Sequence, residues 1–449
     1  MILEDKINKK KSTIGVIGLG YVGLPLALEF AKNKIHIVGF DKDKKKLQKL
    51  KEKKSYLNHI PSKVIKSCSE KKYFSVSTNF SDLSQMDVII ICVPTPLNDK
   101  REPDLSALID TGKLISKFLK KEQLIILESS SYPGTTSETL TNVLERSKLK
   151  ANKDFYISYS PEREDPGNKK YSTANIPKII GADNKKSLKL SINLYKKIID
   201  EVIPVSSTKV AEATKLTENI FRSVNIAMVN ELKIIFEKMD IDIWEVIEAA
   251  SSKPFGFMPF YPGPGLGGHC IPIDPYYLSF KAKELNLDTK LINLSGKINE
   301  DMPKIIVKKL LNKLKDKKIK QSASKVLLIG MAYKKDVDDM RETPSLEIAK
   351  LLIQKKITVD YHDLFIPKIP SNRQLKSFSN KKSIKLSSKN LAKYDAVIVC
   401  TDHTKVDYEM IAKNSKLIFD TRNVLKNSDF KFKIINFINL VVDCWEYCN

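Results

Sequence analysis

Residues 12–41 read STIGVIGLGYVGLPLALEFAKNKIHIVGFD. A β-branched apolar run over 13–18, helical periodicity over 21–32 and a second strand-like run over 35–40 predict one βαβ unit. Between the first strand and the helix stands Gly18-Leu-Gly20-Tyr21-Val22-Gly23. Gly18 permits a tight turn, Gly20 lets a diphosphate approach the backbone, and Gly23 lets helix and strand pack closely. The helix N-terminus adds N–H groups that suit an anion. Asp41 ends the second strand, 18 residues after Gly23. A carboxylate there accepts bonds from both ribose hydroxyls and repels a 2′-phosphate, which points to NAD rather than NADP.

Outward from this unit, strand-like runs follow at 87–93, 123–127, 155–158 and 178–181, with helical stretches between most of them. That alternation argues an α/β fold with a parallel, doubly wound sheet. From Thr208 to about Met239 neither Gly nor Pro interrupts, and one long helix is expected. More helical sequence runs to Ser252 and again to Lys283. After a lysine-rich segment at 313–325, strands are expected at 325–330, 357–361, 394–400 and 417–419, with a helix at 345–355. The whole is expected to form two doubly wound, Rossmann-like domains joined by a long central helix. Its divisions are a dinucleotide domain at 1–205, a central helical domain at 206–301 and a last α/β domain at 302–449.

Composition excludes several classes. The 449 residues are 42% hydrophobic with 16 glycines, which is globular rather than disordered or collagen-like. No run approaches the roughly 18 apolar residues of a membrane span. The opening MILEDKINKKKS lacks the apolar core of a secretory signal, so a cytoplasmic protein without membrane contact is expected. Six irregularly spaced cysteines suggest neither a disulfide framework nor a zinc site, and no metal is expected. Cys92 and Cys400 sit in apolar runs and read as core, while Cys444 and Cys448 lack a second ligand pair. The net charge is +24, yet seven of the 77 basic residues are arginine. Nucleic-acid surfaces lean on arginine and interleaved aromatics. Lysine runs such as 42–54 therefore read as solvated helix faces, with no nucleic-acid partner and a field that favours a small anionic substrate.

A second glycine cluster, Pro262-Gly-Pro-Gly-Leu-Gly-Gly268, holds four of the 16 glycines and leads into His269, Cys270, Ile271, Pro272, Ile273 and Asp274. Such a loop brings backbone N–H groups close to a ligand, and a thiol at its end is placed to attack it. The competing reading is an inert buried cysteine beside a structural turn. On the long helix, Glu212, Lys215, Asn219 and Arg222 step by three and four along one face, among Ala213, Leu216, Ile220 and Ala227. Facing inward, a Lys and an Asn there can stabilise an oxyanion; facing outward they form a solvated stripe.

In order along nearly the whole chain stand the glycine turn, CVPTPL (92–97), ESSSYPGTT (128–136), YSPEREDPGN (159–168), KLTEN (215–219), GPGLGGHCIPIDP (263–275), GMAYKKDVDDMRETPS (330–345) and FDTRN (419–423). Together they resemble the nucleotide-sugar dehydrogenases, the UDP-glucose/UDP-N-acetylmannosamine dehydrogenase superfamily. GGHCIPIDP and SPEREDPGN are most similar to the branch that oxidises N-acetylated sugars, the UDP-N-acetylglucosamine 6-dehydrogenases. UDP-glucose enzymes usually carry Ser and Lys where this chain has His269 and Ile273.

The resemblance implies oxidation of a C6 alcohol to the uronic acid through a thiohemiacetal and a thioester on Cys270, with NAD as acceptor. It implies that Lys215 and Asn219 hold the C6 oxygen, that Asp274 orients or deprotonates a water, and that Glu162 activates the hydrolytic water. Ser130 replaces the family's usual Thr. Gly18, Gly20, Tyr21, Val22, Gly23, Asp41, Thr95, Ser130 and Arg341 would contact NAD. Glu162, Lys215, Asn219, Gly267, Tyr333, Lys334 and Arg422 would contact the UDP-sugar. A second glutamate of UDP-glucose enzymes is Pro166 here, which leaves Glu164, Asp165 and His269 unassigned. A homodimer or higher homo-oligomer, with the central helix in the contact, is also implied. UDP-N-acetylmannosamine, UDP-glucose and UDP-N-acetylgalactosamine are the alternative substrates. A one-step hydroxyacid dehydrogenase and a non-catalytic nucleotide-binding protein are the rivals of another class.

Overall fold

The computed structural model describes residues 1–57, 59–98, 100–164, 171–268, 270–370, 376–430 and 434–436. Asp165, Pro166, His269, Cys444 and Cys448 lie outside the described residues. The chain divides into two compact units, Met1–Asn219 with Tyr276–Asp288, and Ile220–Pro275 with Thr289–Asn449.

The first unit is built on eight strands: β1 (Thr13–Ile17), β2 (His36–Phe40), β3 (Phe74–Ser77), β4 (Val88–Ile91), β5 (Leu124–Leu127), β6 (Tyr156–Tyr159), β7 (Lys178–Gly181) and β8 (Val202–Val205). Their order across the sheet is β3-β2-β1-β4-β5-β6-β7-β8. β4 (VIII) and β5 (LIIL) are buried along their whole length, as strands of a parallel sheet covered on both faces must be. The edge strands β3 and β8 were not foreseen: FSVS is half polar, and VIPV carries Pro204, which an edge strand tolerates.

The sheet departs from the expected parallel run at one joint. β6 and β7 pair antiparallel, with Tyr159 opposite Gly181. A parallel neighbour needs a crossover, usually a helix, and the described residues between 160 and 177 contain none. β7 and β8 are parallel again, connected through the helix Lys185–Tyr195.

The glycine turn after β1 shows two different uses of glycine. Gly18 has φ +92°, and a Cβ on Gly23 would stand 1.9 Å from the Gly18 carbonyl oxygen. A Cβ on Gly20 would meet nothing within 4 Å. Gly23 therefore serves packing, while Gly20 faces open space.

The second unit holds a five-stranded parallel sheet of β9 (Lys325–Ile329), β10 (Thr358–His362), β11 (Ala396–Val399), β12 (Ile418–Asp420) and β13 (Ile434–Asn436), in the order β10-β9-β11-β12-β13. The helix Pro344–Gln354 starts with Pro in its first turn and the Thr343 side chain accepting from Ser345 N. The long helix is Thr208–Lys238, 31 residues. A second long helix, Lys290–Asp316, was not foreseen; it carries a buried Pro303 and runs across position 301, where the sequence suggested a domain limit. The α/β fold with two doubly wound sheets and a long central helix is the one the chain adopts. No helix of the described residues is long and apolar enough to cross a membrane.

Gly23→Ala is expected to cost about 1–3 kcal/mol and lower the calorimetric melting temperature, because backbone must move. Gly20→Ala should change stability by less than about 0.5 kcal/mol. Equal melting temperatures for the two variants would contradict this division of roles.

Candidate functional site

In the first unit, the turn after β1 is shaped from below by Asp41. Its Oδ2 accepts the Leu19 N–H and its Oδ1 the Asp43 N–H, both at 2.9 Å, and Lys46 Nζ stands 3.6 Å away. These bonds aim the carboxylate, and each oxygen keeps a lone pair for a hydroxyl. The Tyr56 hydroxyl donates to the Leu19 carbonyl. The Tyr21 ring stacks on His59, with centroids 5.6 Å apart. Val22 precedes the helix Gly23–Lys32 as an N-cap whose side chain makes no capping bond, so it does not compete with an anion there. Thr95 is buried, and its carbonyl accepts the Tyr277 hydroxyl at 2.6 Å. Open space at Gly20, an uncapped helix start and an aimed carboxylate at the end of β2 fit the adenosine and diphosphate parts of NAD.

The polar stripe of the long helix faces inward for three of its four members. Glu212, Lys215 and Asn219 are buried, and Arg222 is exposed. The Glu212 carboxylate fastens the turn after β5: it accepts from Gly134 N at 2.7 Å, Thr136 N at 2.9 Å, the Thr136 hydroxyl at 2.7 Å and the Ser131 hydroxyl at 3.4 Å. Burial nonetheless raises the Glu212 carboxyl to about 7. The same turn contains buried Ser130, next to Ser129, whose hydroxyl donates to the Val93 carbonyl at 2.7 Å. One turn along the helix, Lys215 Nζ donates to the Glu162 carbonyl at 2.9 Å. Arg163 pairs with Glu218 at 2.6 Å and donates to the Pro177 carbonyl at 2.6 Å. The segment after β6 is thus tied to the long helix at two points.

Beneath Glu162 lies a buried cluster that the sequence did not reveal. Lys178 Nζ is 2.8 Å from Glu128 Oε2 and 3.9 Å from Glu162 Oε2. The Tyr195 hydroxyl donates to Glu128 Oε1, and Lys178 Nζ sits 5.2 Å from the Tyr195 ring centroid. Burial alone would depress the Lys178 ammonium, but the charges of Glu128 and Glu162 outweigh it and hold it protonated. Glu164 is raised to about 7, first by burial and then by the charge of Glu162. Its N–H donates to Glu162 Oε1 and its own carboxylate accepts from the Thr173 hydroxyl. The available signal was a lone Lys opening an otherwise apolar strand, KIIG.

In the second unit, Cys270 closes the turn that starts the helix Asp274–Glu284. Its carbonyl accepts Ile273 N at 3.1 Å and Asp274 N at 2.8 Å. The four-residue spacing is one helical turn, so the thiol residue and the fully buried Asp274 stand on one side of it. The preceding glycine loop is packed against protein. A Cβ on Gly268 (φ +86°) would lie 2.8 Å from the Tyr333 ring, one on Gly267 2.7 Å from Tyr333 Cβ, and one on Gly263 2.8 Å from an Arg422 guanidinium nitrogen. The Gly268 N–H donates to the Arg341 carbonyl at 2.9 Å. Three of the four glycines therefore admit side chains of the last α/β segment, where an approach to ligand was expected. Arg422 Nε donates to the Cys400 carbonyl at 2.9 Å. Arg341 forms a two-pronged pair with Asp339, with contacts of 2.7–3.0 Å. Lys334 is half-buried beside Tyr333.

Comparison with known proteins matches three segments of the chain. Residues 12–199 match the NAD binding domain of the UDP-glucose/GDP-mannose dehydrogenase family, residues 209–301 its central domain and residues 327–427 its UDP binding domain. A UDP-N-acetyl-D-glucosamine 6-dehydrogenase of Pseudomonas aeruginosa is 38% identical over 359 residues, 80% of this chain and 84% of the relative. A solved UDP-D-ManNAc dehydrogenase from Pyrococcus horikoshii superposes with a TM-score of 0.82 at 32% identity, covering 92% of this chain and 96% of that one. An NDP-N-acetyl-D-galactosaminuronic acid dehydrogenase from Methanosarcina mazei superposes with a TM-score of 0.78 at 29% identity, covering 97% of each chain. With its three domains matched in order and its NAD turn built as described, the chain belongs to the UDP-glucose/GDP-mannose dehydrogenase family and is an NAD-dependent oxidoreductase acting on a nucleotide sugar.

Proposed function

We propose that the protein oxidises the C6 alcohol of UDP-N-acetylglucosamine to the uronic acid. The observation that carries the covalent route is the single helical turn from Cys270 to buried Asp274, which follows a glycine loop packed against Tyr333. His269 and Ile273 in the sequence, and the similarity to the Pseudomonas enzyme, support the N-acetylglucosamine choice. The second reading is UDP-N-acetylmannosamine, which the Pyrococcus structure favours. The domain division 1–205, 206–301 and 302–449 is kept as part of this proposal, supported by the three matched segments.

Bound by Gly18, Gly20, Tyr21, Val22, Gly23, Asp41 and Thr95 with Ser130 and Arg341, NAD supplies the hydride acceptor, one molecule for each of two oxidations. Tyr333, Lys334 and Arg422, with the backbone of Gly267, grip the uridine diphosphate. Lys215 and Asn219 hold the C6 oxygen as its proton leaves to a water oriented by Asp274. The Cys270 thiol adds to the C6 aldehyde; a C–S bond forms and the thiol proton passes to the carbonyl oxygen. This adduct retains the C–H that the second oxidation removes, giving a thioester. A water activated by Glu162 then bonds to the acyl carbon, the C–S bond breaks, the Cys270 thiolate leaves and the water's proton goes to Glu162. A cytoplasmic setting suits a consumer of NAD and a nucleotide sugar.

A homodimer belongs to the same proposal. On the long helix Phe221, Met228 and Ile235 are spaced by seven residues and are 47%, 45% and 46% exposed. Apolar side chains at that spacing line one face and are suited to a second copy of the chain.

Purified protein with NAD and a panel of UDP-sugars should reduce two NAD per sugar, fastest with UDP-N-acetylglucosamine; faster turnover of another sugar would reassign the substrate. Cys270→Ser is expected to cut steady-state NADH formation by roughly 10³-fold with NAD affinity unchanged. Wild-type turnover in that variant would favour a one-step dehydrogenase. Met228→Glu with Ile235→Glu should shift sedimentation from dimer to monomer, and an unchanged sedimentation coefficient would remove this face from the contact.

A further inference from the structure

The antiparallel joint between β6 and β7 sets a register with Tyr159 opposite Gly181. Lys178 opens β7, and Glu162 stands three residues past the end of β6. The side chains meet, Nζ to Oε2 at 3.9 Å, while Glu162 Oε1 accepts the Glu164 N–H and the Glu162 carbonyl accepts Lys215 Nζ at 2.9 Å. Each oxygen of this residue thus has an assigned neighbour. Lys178 is itself immobilised, since Glu128 lies 2.8 Å away on one side, the Tyr195 ring covers it, and all three residues are buried.

Stability does not explain the cluster. A buried ion pair roughly breaks even against apolar side chains of similar volume. Here a pair already satisfied, Glu128 with Lys178, is brought up to two further carboxylates, Glu162 and Glu164. Excess buried charge of one sign costs folding free energy and is typical of sites kept for chemistry.

We propose that Lys178, anchored by Glu128 and Tyr195, is the positioning residue for Glu162, holding its carboxylate in the orientation from which it activates the hydrolytic water. This rests on the role given to Glu162 above. Lys178 touches neither sugar nor acyl carbon in this scheme and acts through Glu162 alone. Its loss slows hydrolysis of the thioester and leaves the two preceding oxidations in place.

The test uses the full-length enzyme with NAD and the UDP-sugar it turns over fastest, reading the NADH burst, the steady-state rate and the intact mass. Lys178→Met, and the double variant Glu128→Gln with Lys178→Met that removes the buried pair together, should keep a burst of about two NADH per active site. Their steady-state rate should fall ~10–100-fold, with an acyl adduct on Cys270. Lys178→Arg should recover part of the rate. Burst and steady-state rate falling in proportion, with no adduct, would show a merely structural pair and overturn the proposal. Glu162→Gln separates the two levels. An adduct in that variant but not in the Lys178 variants defeats the Lys178 inference alone. Wild-type turnover in Glu162→Gln would defeat the role of Glu162, and this inference with it.

Discussion

A polar group taken out of water must find a partner, and one helix of this protein buries several of them. Glu212, Lys215 and Asn219 are each more than nine-tenths buried on Thr208–Lys238. An unpaired buried donor or acceptor costs about 1–3 kcal/mol, and a charge more. Much of the first unit's local geometry answers that demand. The turn after β5 offers two N–H groups and two hydroxyls to Glu212, and the segment after β6 offers its carbonyl to Lys215. These residues are therefore held by the same bonds that make the helix tolerable in a core.

A second constraint appears in both sheets. In the first, the carboxylate that ends β2 accepts the N–H of Leu19 in the turn after β1. In the second, Asp363 after β10 accepts the N–H groups of Met331 and Ala332 in the turn after β9, at 2.6 and 2.9 Å. Gly18 and Gly330 stand at matching places with φ +92° and +87°. The two turns are one solution used twice, although the sequences show no residue-by-residue repeat. They differ in what faces the acid. Asp41 has Lys46 and solvent near it, whereas Asp363 meets the buried ring of His403 at 3.1 Å. Despite burial, that ring and the backbone donors hold Asp363 down at about 2.

The glycine loop before Cys270 shows how composition can point to the right place for a different reason. Glycine clustering suggested backbone approaching a ligand. The residues that occupy the space are Tyr333, Arg422 and Pro344 of the same unit. The loop and the segment 330–345 thus interlock, and a side chain on Gly267 or Gly268 would displace Tyr333 before it met any substrate.

Local patterns settled a good part of this protein in advance. Strand and helix periods, the glycine turn, Asp41, the long helix and the Cys270–Asp274 spacing depend on neighbours a few residues apart, so the linear sequence displays them directly. The edge strands β3 and β8 and the helix Lys290–Asp316 escaped, because their patterns are short or broken by Pro204, Gly296 and Pro303. Tertiary structure alone decided that Glu212 is an anchor, that Arg222 turns outward, and that Lys178 meets Glu128 and Glu162. Lys178 and Glu128 are 50 residues apart. Lys178 opens β7 and Glu128 follows β5, strands that stand next but one in the sheet, and sheet order is set by long-range pairing that no local window of sequence records.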